Sequence, residues 1–288
     1  MRKNVIITLI TALALLLALL AGCAKDATPE KTDKPVVAVS IVPQQTFVEA
    51  VCGELVEVVT MIPPGSSPET YEPTPQQMEK FSAAQIYFAI GVPVEEASIL
   101  PSAGDVPVVR LQDEVNEAYA PLAFENGEAD PHIWLSPRRV KVMVSAIARE
   151  MGELDPENAA LYQENAEAYN AQLDGLDAAI RDALADTAQK SFIVYHPAFG
   201  YFAADYDLAM YSLEEEGKEA TVRHLQEMVD LAKRENIKVI FYQDEMDSRQ
   251  SAQFAEEIGG ASVALSPLAA DYIDNLLNMA NTLAEALK

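Results

Sequence analysis

The stretch that most constrains the fold is 155–186, DPENAALYQENAEAYNAQLDGLDAAIRDALAD, which has the pattern of one long helix. Asp155 suits an N-cap, and Pro156 the first helical position, where its missing N–H costs nothing. Glu157 favours the positive end of the helix dipole. Tyr162, Ala166, Tyr169, Leu173, Leu176, Ile180 and Leu184 recur three or four apart and share one face. Gly175 is the weak point, costing about 1 kcal/mol relative to alanine. A helix of ~30 residues is ~45 Å long, more than one small domain needs. His132 precedes it and His196 follows it. The pattern predicts a beam between two lobes, with a ligand site between them.

Each half alternates short β-branched runs with helical patterns. In the first, strands are expected at 36–42, 55–62, 86–90 and 106–111, and helices at 43–52, 74–83 and 138–151. A turn-rich PPGSSP loop lies at 63–68, and an acidic loop at 120–130 carries Glu125, Glu128 and Asp130. In the second half, strands are expected at 191–195, 208–213, 238–242 and 262–265, and helices at 222–235, 248–258 and 271–287. Strands separated by helices predict parallel βα units. The expected fold is therefore α/β: two lobes, each with a mainly parallel sheet, joined by one long backbone helix. The expected boundaries are a leader at 1–22, a tether at 23–35, a first lobe at 36–154, the linking helix at 155–187 and a second lobe at 188–288. Open parallel sheets bind ligands at the carboxyl ends of their strands. His196, Glu214 to Glu216, Gln243 to Glu245 and Ser266 fall at such ends.

Arg2 and Lys3, a mostly apolar run at 5–20 and the small residues before Cys23 make a secretory leader. The run is short of the ~20 apolar residues a spanning helix needs. Leu20-Ala21-Gly22-Cys23 resembles the bacterial lipobox, which makes Cys23 the lipidated first residue of the mature chain and anchors it to the membrane. The polar, aperiodic 24–34 then reads as a flexible tether. A formal charge of −25 repels nucleic acid and anionic lipid, so neither is an expected partner. The chain has two cysteines. With Cys23 acylated no disulfide framework is possible, and Cys52 reads as a small buried residue.

The chain has three histidines. His132 and His196 adjoin prolines in turns, where a histidine is either a structural hydrogen-bonder or a ligand. Two at comparable places in two halves favour a shared ligand. His224 opens a helix and reads as a surface residue or one standing behind a ligand.

Three motifs carry a family resemblance. PPGSSPETYEPTP (63–75), DPHIWLSP (130–137) and HPAFGYF (196–202) resemble the signatures of the metal-binding lipoproteins of zinc and manganese ABC importers. EEEG (214–217) and LSPL (265–268) also fit. The resemblance runs from about Val36 to the end. It implies two α/β lobes on one long helix, a single divalent ion in the cleft and a membrane permease as partner, with a monomeric receptor outside the cytoplasm. On this resemblance His132 and His196 fall on ligand positions, and Glu69 stands where many members have a histidine. Ser266 stands where many have a ligand aspartate, which leaves the fourth position open to water, Glu245, Asp244 or one of Glu214 to Glu216, with Glu245 or water favoured. Asp130 either orients His132 or only shapes the turn.

Two imidazoles and a carboxylate suit Zn²⁺ or Mn²⁺, and overall similarity favours zinc. The expected function is capture of one such ion for a permease, by coordination rather than turnover. The alternatives are a binding protein for a metal chelate or haem and, further off, a secreted zinc hydrolase. Tyr71, Trp134, Tyr195, Phe199 and Tyr201 either wall the cleft or belong to lobe core.

Overall fold

A computed structural model describes residues 34–214, 220–245 and 249–288. The expected leader, the lipidation site Cys23 and all of the tether before Lys34 lie outside the described residues, as do Glu215, Glu216 and Gly217. No helix among the described residues is long and apolar enough to cross a membrane.

Short apolar runs form the strands. In the first half β1 (Val36–Val39), β2 (Glu57–Thr60), β3 (Ile86–Ala89) and β4 (Val108–Arg110) pair in parallel in the order β2-β1-β3-β4. In the second, β5 (Ser191–Val194), β6 (Ala209–Ser212), β7 (Val239–Gln243) and β8 (Ala261–Leu265) repeat that order as β6-β5-β7-β8. Parallel sheets are covered on both faces, so their central strands are mostly apolar; β3, IYFA, is buried at every position. Each sheet reverses its strand order beside its first strand, which opens a crevice at the carboxyl ends there.

The helices follow local signals. Helix α1 (Val42–Cys52) has proline in its first turn and stops at Gly53, whose φ of 56° suits glycine. Helix α2 (Pro75–Phe81) is capped by Thr74, which accepts from the Gln77 N–H. Helix α3 (Leu111–Ala118) buries Leu111 and Val115. Ser136 caps helix α4 (Pro137–Leu154) by accepting from the Arg139 N–H.

The long helix α5 (Ala159–Leu184) buries the expected face, Tyr162, Ala166, Tyr169, Leu173, Leu176, Ile180 and Leu184. It begins three residues later than Pro156. Asp155 instead ends α4, its N–H donating to the Met151 carbonyl, and its carboxylate accepts from Asn158 and from the Tyr162 hydroxyl, each at 2.7 Å. Gly175 sits in open space, with nothing within 4 Å of an added Cβ. Gly175→Ala is expected to stabilise the protein by about 0.5–1 kcal/mol, read as a rise in the denaturation midpoint at unchanged slope.

In the second half the helices are α6 (Gly200–Asp205), α7 (Val222–Arg234), α8 (Arg249–Glu257) and α9 (Tyr272–Ala286). The halves do not hang from α5 alone. One continuous core takes in α1, α4, α5, α9 and the inner faces of both sheets, while a second core lies under β5, β7, α7 and α8. Phe47 of α1 meets Tyr272 of α9 edge-on, with ring centres 5.0 Å apart. Cys52 is buried, and burial, then Asp155, pushes its thiol up to about 12. It is an inert core residue.

Candidate metal centre

The three candidate donors reach one point from separate segments. Glu69 lies in the loop after β2, which is stiffened by Pro63, Pro64 and Pro68 and turned at Gly65 with φ 79°. Its N–H donates to the Ser67 hydroxyl at 3.2 Å. His132 sits in the turn before a short 3₁₀ segment, Ile133–Leu135. His196 comes two residues beyond β5. One ligand atom from each of the three lies within 4.8 Å of the others. His132 Nε2 and His196 Nε2 are 3.2 Å apart, and Glu69 Oε1 is 3.8 Å from His196 Nε2. Glu245 is outside this group.

Each ring is fixed from behind. Asp130 Oδ1 is 2.8 Å from His132 Nδ1 and also accepts the His132 backbone N–H at 2.9 Å. Glu214 Oε2 is 2.7 Å from His196 Nδ1. An ionised carboxylate only accepts, so it favours the tautomer with the proton on Nδ1, which leaves Nε2 of a neutral ring as the metal-binding atom. The two Nε2 atoms face each other at 3.2 Å in a buried site, since His132 and His196 are 4% and 5% exposed. Two neutral rings in that tautomer repel at this distance, and a metal ion or a proton between the two nitrogens relieves the repulsion. Metal–nitrogen bonds of about 2.0–2.1 Å to both would enclose an angle of roughly 100°, near tetrahedral.

The free space at the site is about 10 Å³, lined by Ser67, Pro68, Glu69, His132, Trp134, His196, Gln243 and Leu268. That is room for one water-sized sphere. Of the aromatic residues, Trp134 walls the site, its ring centre 5.1 Å from that of His132. Tyr201 and Phe199 are core residues.

The His132 turn is held from the other half of the chain. Trp134 Nε1 donates to the Pro267 carbonyl at 2.9 Å, and the Tyr272 hydroxyl donates to the Trp134 carbonyl at 2.7 Å. The Leu122 N–H donates to the Tyr201 hydroxyl at 3.0 Å. Arg139 Nη1 reaches Asp205 Oδ1 at 2.9 Å, and its guanidinium lies 4.4 Å from the Tyr201 ring centre. Arg138 pairs with the same carboxylate. An added Cβ at Gly200 would stand 2.5 Å from Asp130 Oδ2. Gly200→Ala should therefore turn Asp130 off His132 and weaken metal binding about tenfold, within the range seen when a ligand loses its supporting partner; isothermal titration checks it.

Other acids and polar residues at the strand ends take different places. Glu214 stands behind His196 rather than in the cavity. Asp244 accepts from the Ser266 hydroxyl. Glu245 has one buried carboxylate oxygen without a partner among the described residues, and burial, then Asp244, raises it above the usual carboxylate range. His224 Nε2 faces the Ser212 carbonyl at 2.9 Å. Sequence reasoning missed Gln243 as a lining residue and Glu214 as the partner of His196. The available signal was position alone, at or just beyond the carboxyl ends of β7 and β6.

The profile of the family described as "Zinc-uptake complex component A periplasmic" matches residues 37–286. Among curated relatives, the high-affinity zinc uptake system protein ZnuA of Bacillus subtilis is 27% identical over 87% of this chain and 85% of its own length. The manganese-binding lipoprotein MntA of Halalkalibacterium halodurans is 27% identical over 93% of this chain and 94% of its own. A crystal structure of ZnuA superposes with a TM-score of 0.84 at 37% identity, covering 89% of this chain and all of the other. With the fold, the three converging donors and a profile match over nearly the whole described length, the chain belongs to the periplasmic zinc-uptake component A family.

Proposed function

We propose that this chain captures one divalent transition-metal ion, Zn²⁺ ahead of Mn²⁺, and delivers it to the permease of an ABC importer. The ion bridges the two halves through His132 and His196, with Glu69 as the anionic donor. Binding is by coordination, with no turnover. Cys23 carries the lipid that holds the receptor to the outer side of the cell membrane, 23–35 is the tether, and α5 with the shared core joins lobes at 36–154 and 188–288.

The observation that carries this reading is the pair of Nε2 atoms 3.2 Å apart with Glu69 beside them, each ring held by a carboxylate behind it. A metal ion can be held by both Nε2 atoms, and a cavity of about 10 Å³ accepts a bare ion. A haem or chelate would need a pocket of roughly 300 Å³ or more. Similarity to a zinc uptake protein and a manganese-binding lipoprotein supports the metal class, and overall similarity to the zinc-uptake family favours zinc within it.

The test uses the soluble form from Lys25 onward, stripped with chelator and titrated with Zn²⁺ and Mn²⁺ while melting is followed. One tight site per chain is expected, with Zn²⁺ the tighter ligand. A melting temperature unmoved by either ion would overturn the proposal.

A further inference from the structure

Glu69, His132 and His196 give three donors, whereas Zn²⁺ in a closed site takes four. Ser266 does not complete the set: its hydroxyl is committed to Asp244, and it does not line the cavity. Gln243 does line it. It ends β7, is 7% exposed, and its Nε2 is buried with no hydrogen-bond partner among the described residues. A buried polar group left unpaired is costly, so this amide calls for a partner that the described residues do not supply.

Its place in the sheet adds a second argument. β5 lies between β6 and β7, so the chain crosses to opposite sides of β5 and the crevice opens where β5 and β7 end. His196 follows β5 and Gln243 closes β7, so both belong to that crevice. The amide presents nitrogen or oxygen by a half-turn about its last torsion, without moving the rest of the side chain.

Resting on the metal-receptor reading above, we propose that Gln243 is the fourth donor to the bound ion, through its amide oxygen, and that this neutral donor sets the preference for Zn²⁺ over Mn²⁺. Glu69 alone then brings negative charge into direct contact with the ion. Hard cations such as Mn²⁺ depend on anionic oxygen, whereas Zn²⁺ is held well by imidazole. A carboxylate at this position would cancel the remaining positive charge and help Mn²⁺ more than Zn²⁺.

The experiment measures Zn²⁺ and Mn²⁺ affinities by chelator competition, and the visible absorption of the Co²⁺ form, for the wild type, Gln243→Leu, Gln243→Glu and His132→Ala. Gln243→Leu should lose Zn²⁺ affinity at least tenfold and shift the Co²⁺ bands. Gln243→Glu should improve Mn²⁺ affinity at least tenfold more than Zn²⁺ affinity. Melting of the metal-free forms checks folding, and Gln243→Glu decides the matter should the leucine variant unfold. If both Gln243 variants match the wild type in affinities and spectrum while His132→Ala loses the ion, Gln243 is not a ligand and the receptor reading stands. Loss of Zn²⁺ in Glu245→Ala with no loss in Gln243→Leu would equally overturn the assignment. Wild-type affinity in His132→Ala would instead sink the receptor reading, and this assignment with it.

Discussion

His132→Ala and His196→Ala are each expected to abolish the thermal stabilisation that Zn²⁺ gives the wild type. A ligand at a thousand times its dissociation constant adds about 4.1 kcal/mol to the folded state, and in a chain of this size that is roughly 8–16 °C of melting temperature. Either variant should show a rise below about 2 °C at the same zinc concentration. The reason is geometric. The two Nε2 atoms, 3.2 Å apart, are the closest pair of donors, and each ring is locked by its own buried carboxylate, so no neighbouring histidine can swing in. Loss of one donor should exceed the roughly 10–100-fold effect that accompanies loss of a supporting partner. Glu69 is more replaceable, because its side chain is 22% exposed and water can take its place; Glu69→Ala should retain weakened binding. Metal-free His132→Ala should melt within about 4 °C of metal-free wild type. When the ring is removed, Asp130 keeps the backbone N–H of residue 132. Differential scanning calorimetry with and without metal reads all of these. A wild-type zinc shift in both histidine variants would remove the basis for the metal centre.

Much of the fold was legible because its strands are parallel and the central ones are buried, so apolar runs such as VVAV and SFIV stand out against helical periodicity. The inward face of α5 was readable residue by residue for the same reason of period. Its start was not. Asp155-Pro156 has the chemistry of a helix N-terminus, but the carboxylate of Asp155 is engaged by Tyr162 and Asn158 while its backbone closes α4, a tertiary arrangement that outweighs the local signal. Helix α3 escaped notice because Arg110, at its N-cap, makes no side-chain cap and its apolar face is only Leu111 and Val115. At the site, the scarcity of histidine and the proline turns drew attention to His132 and His196, and the motif around Pro68 to Glu69. Asp130 behind His132 could be weighed from the sequence, but the partner of His196 was invisible: Glu214 meets it across 18 positions of sequence, through the pairing of β5 with β6. Gln243 reaches the cavity only because β7 lies beside β5. Register between strands is a tertiary fact, and a single sequence carries no measure of it.

The largest loss of stability is expected at Asp205. Its side chain is 1% exposed and serves Arg139 at 2.9 and 3.1 Å, the Ser136 hydroxyl at 2.5 Å and Arg138. Arg139 is itself only 3% exposed and stacks over Tyr201. Asp205→Ala would leave that guanidinium buried without a counter-charge, and removal of one partner from a buried pair costs about 3–5 kcal/mol. In urea the midpoint should fall accordingly at unchanged slope, and melting should drop by roughly 6–20 °C. Arg138 can turn its charge to water, since its side chain is 41% exposed, whereas Arg139 has no such escape. Arg139→Met combined with Asp205→Leu should therefore recover most of the loss, because replacing both partners of a buried pair by apolar groups is often neutral. The pair also joins the first turn of α4, just past the His132 turn, to the last residue of α6, just past the His196 turn. Asp205→Asn, which keeps the volume and removes the charge, should loosen that junction and weaken Zn²⁺ binding along with stability. The double apolar variant should restore stability more fully than affinity, since a packed pair fixes the distance between the turns less tightly than a forked hydrogen bond does. Equal recovery of both would mean that Asp205 serves the fold alone. A single Asp205→Ala variant as stable as the wild type would show that the two arginines find other partners.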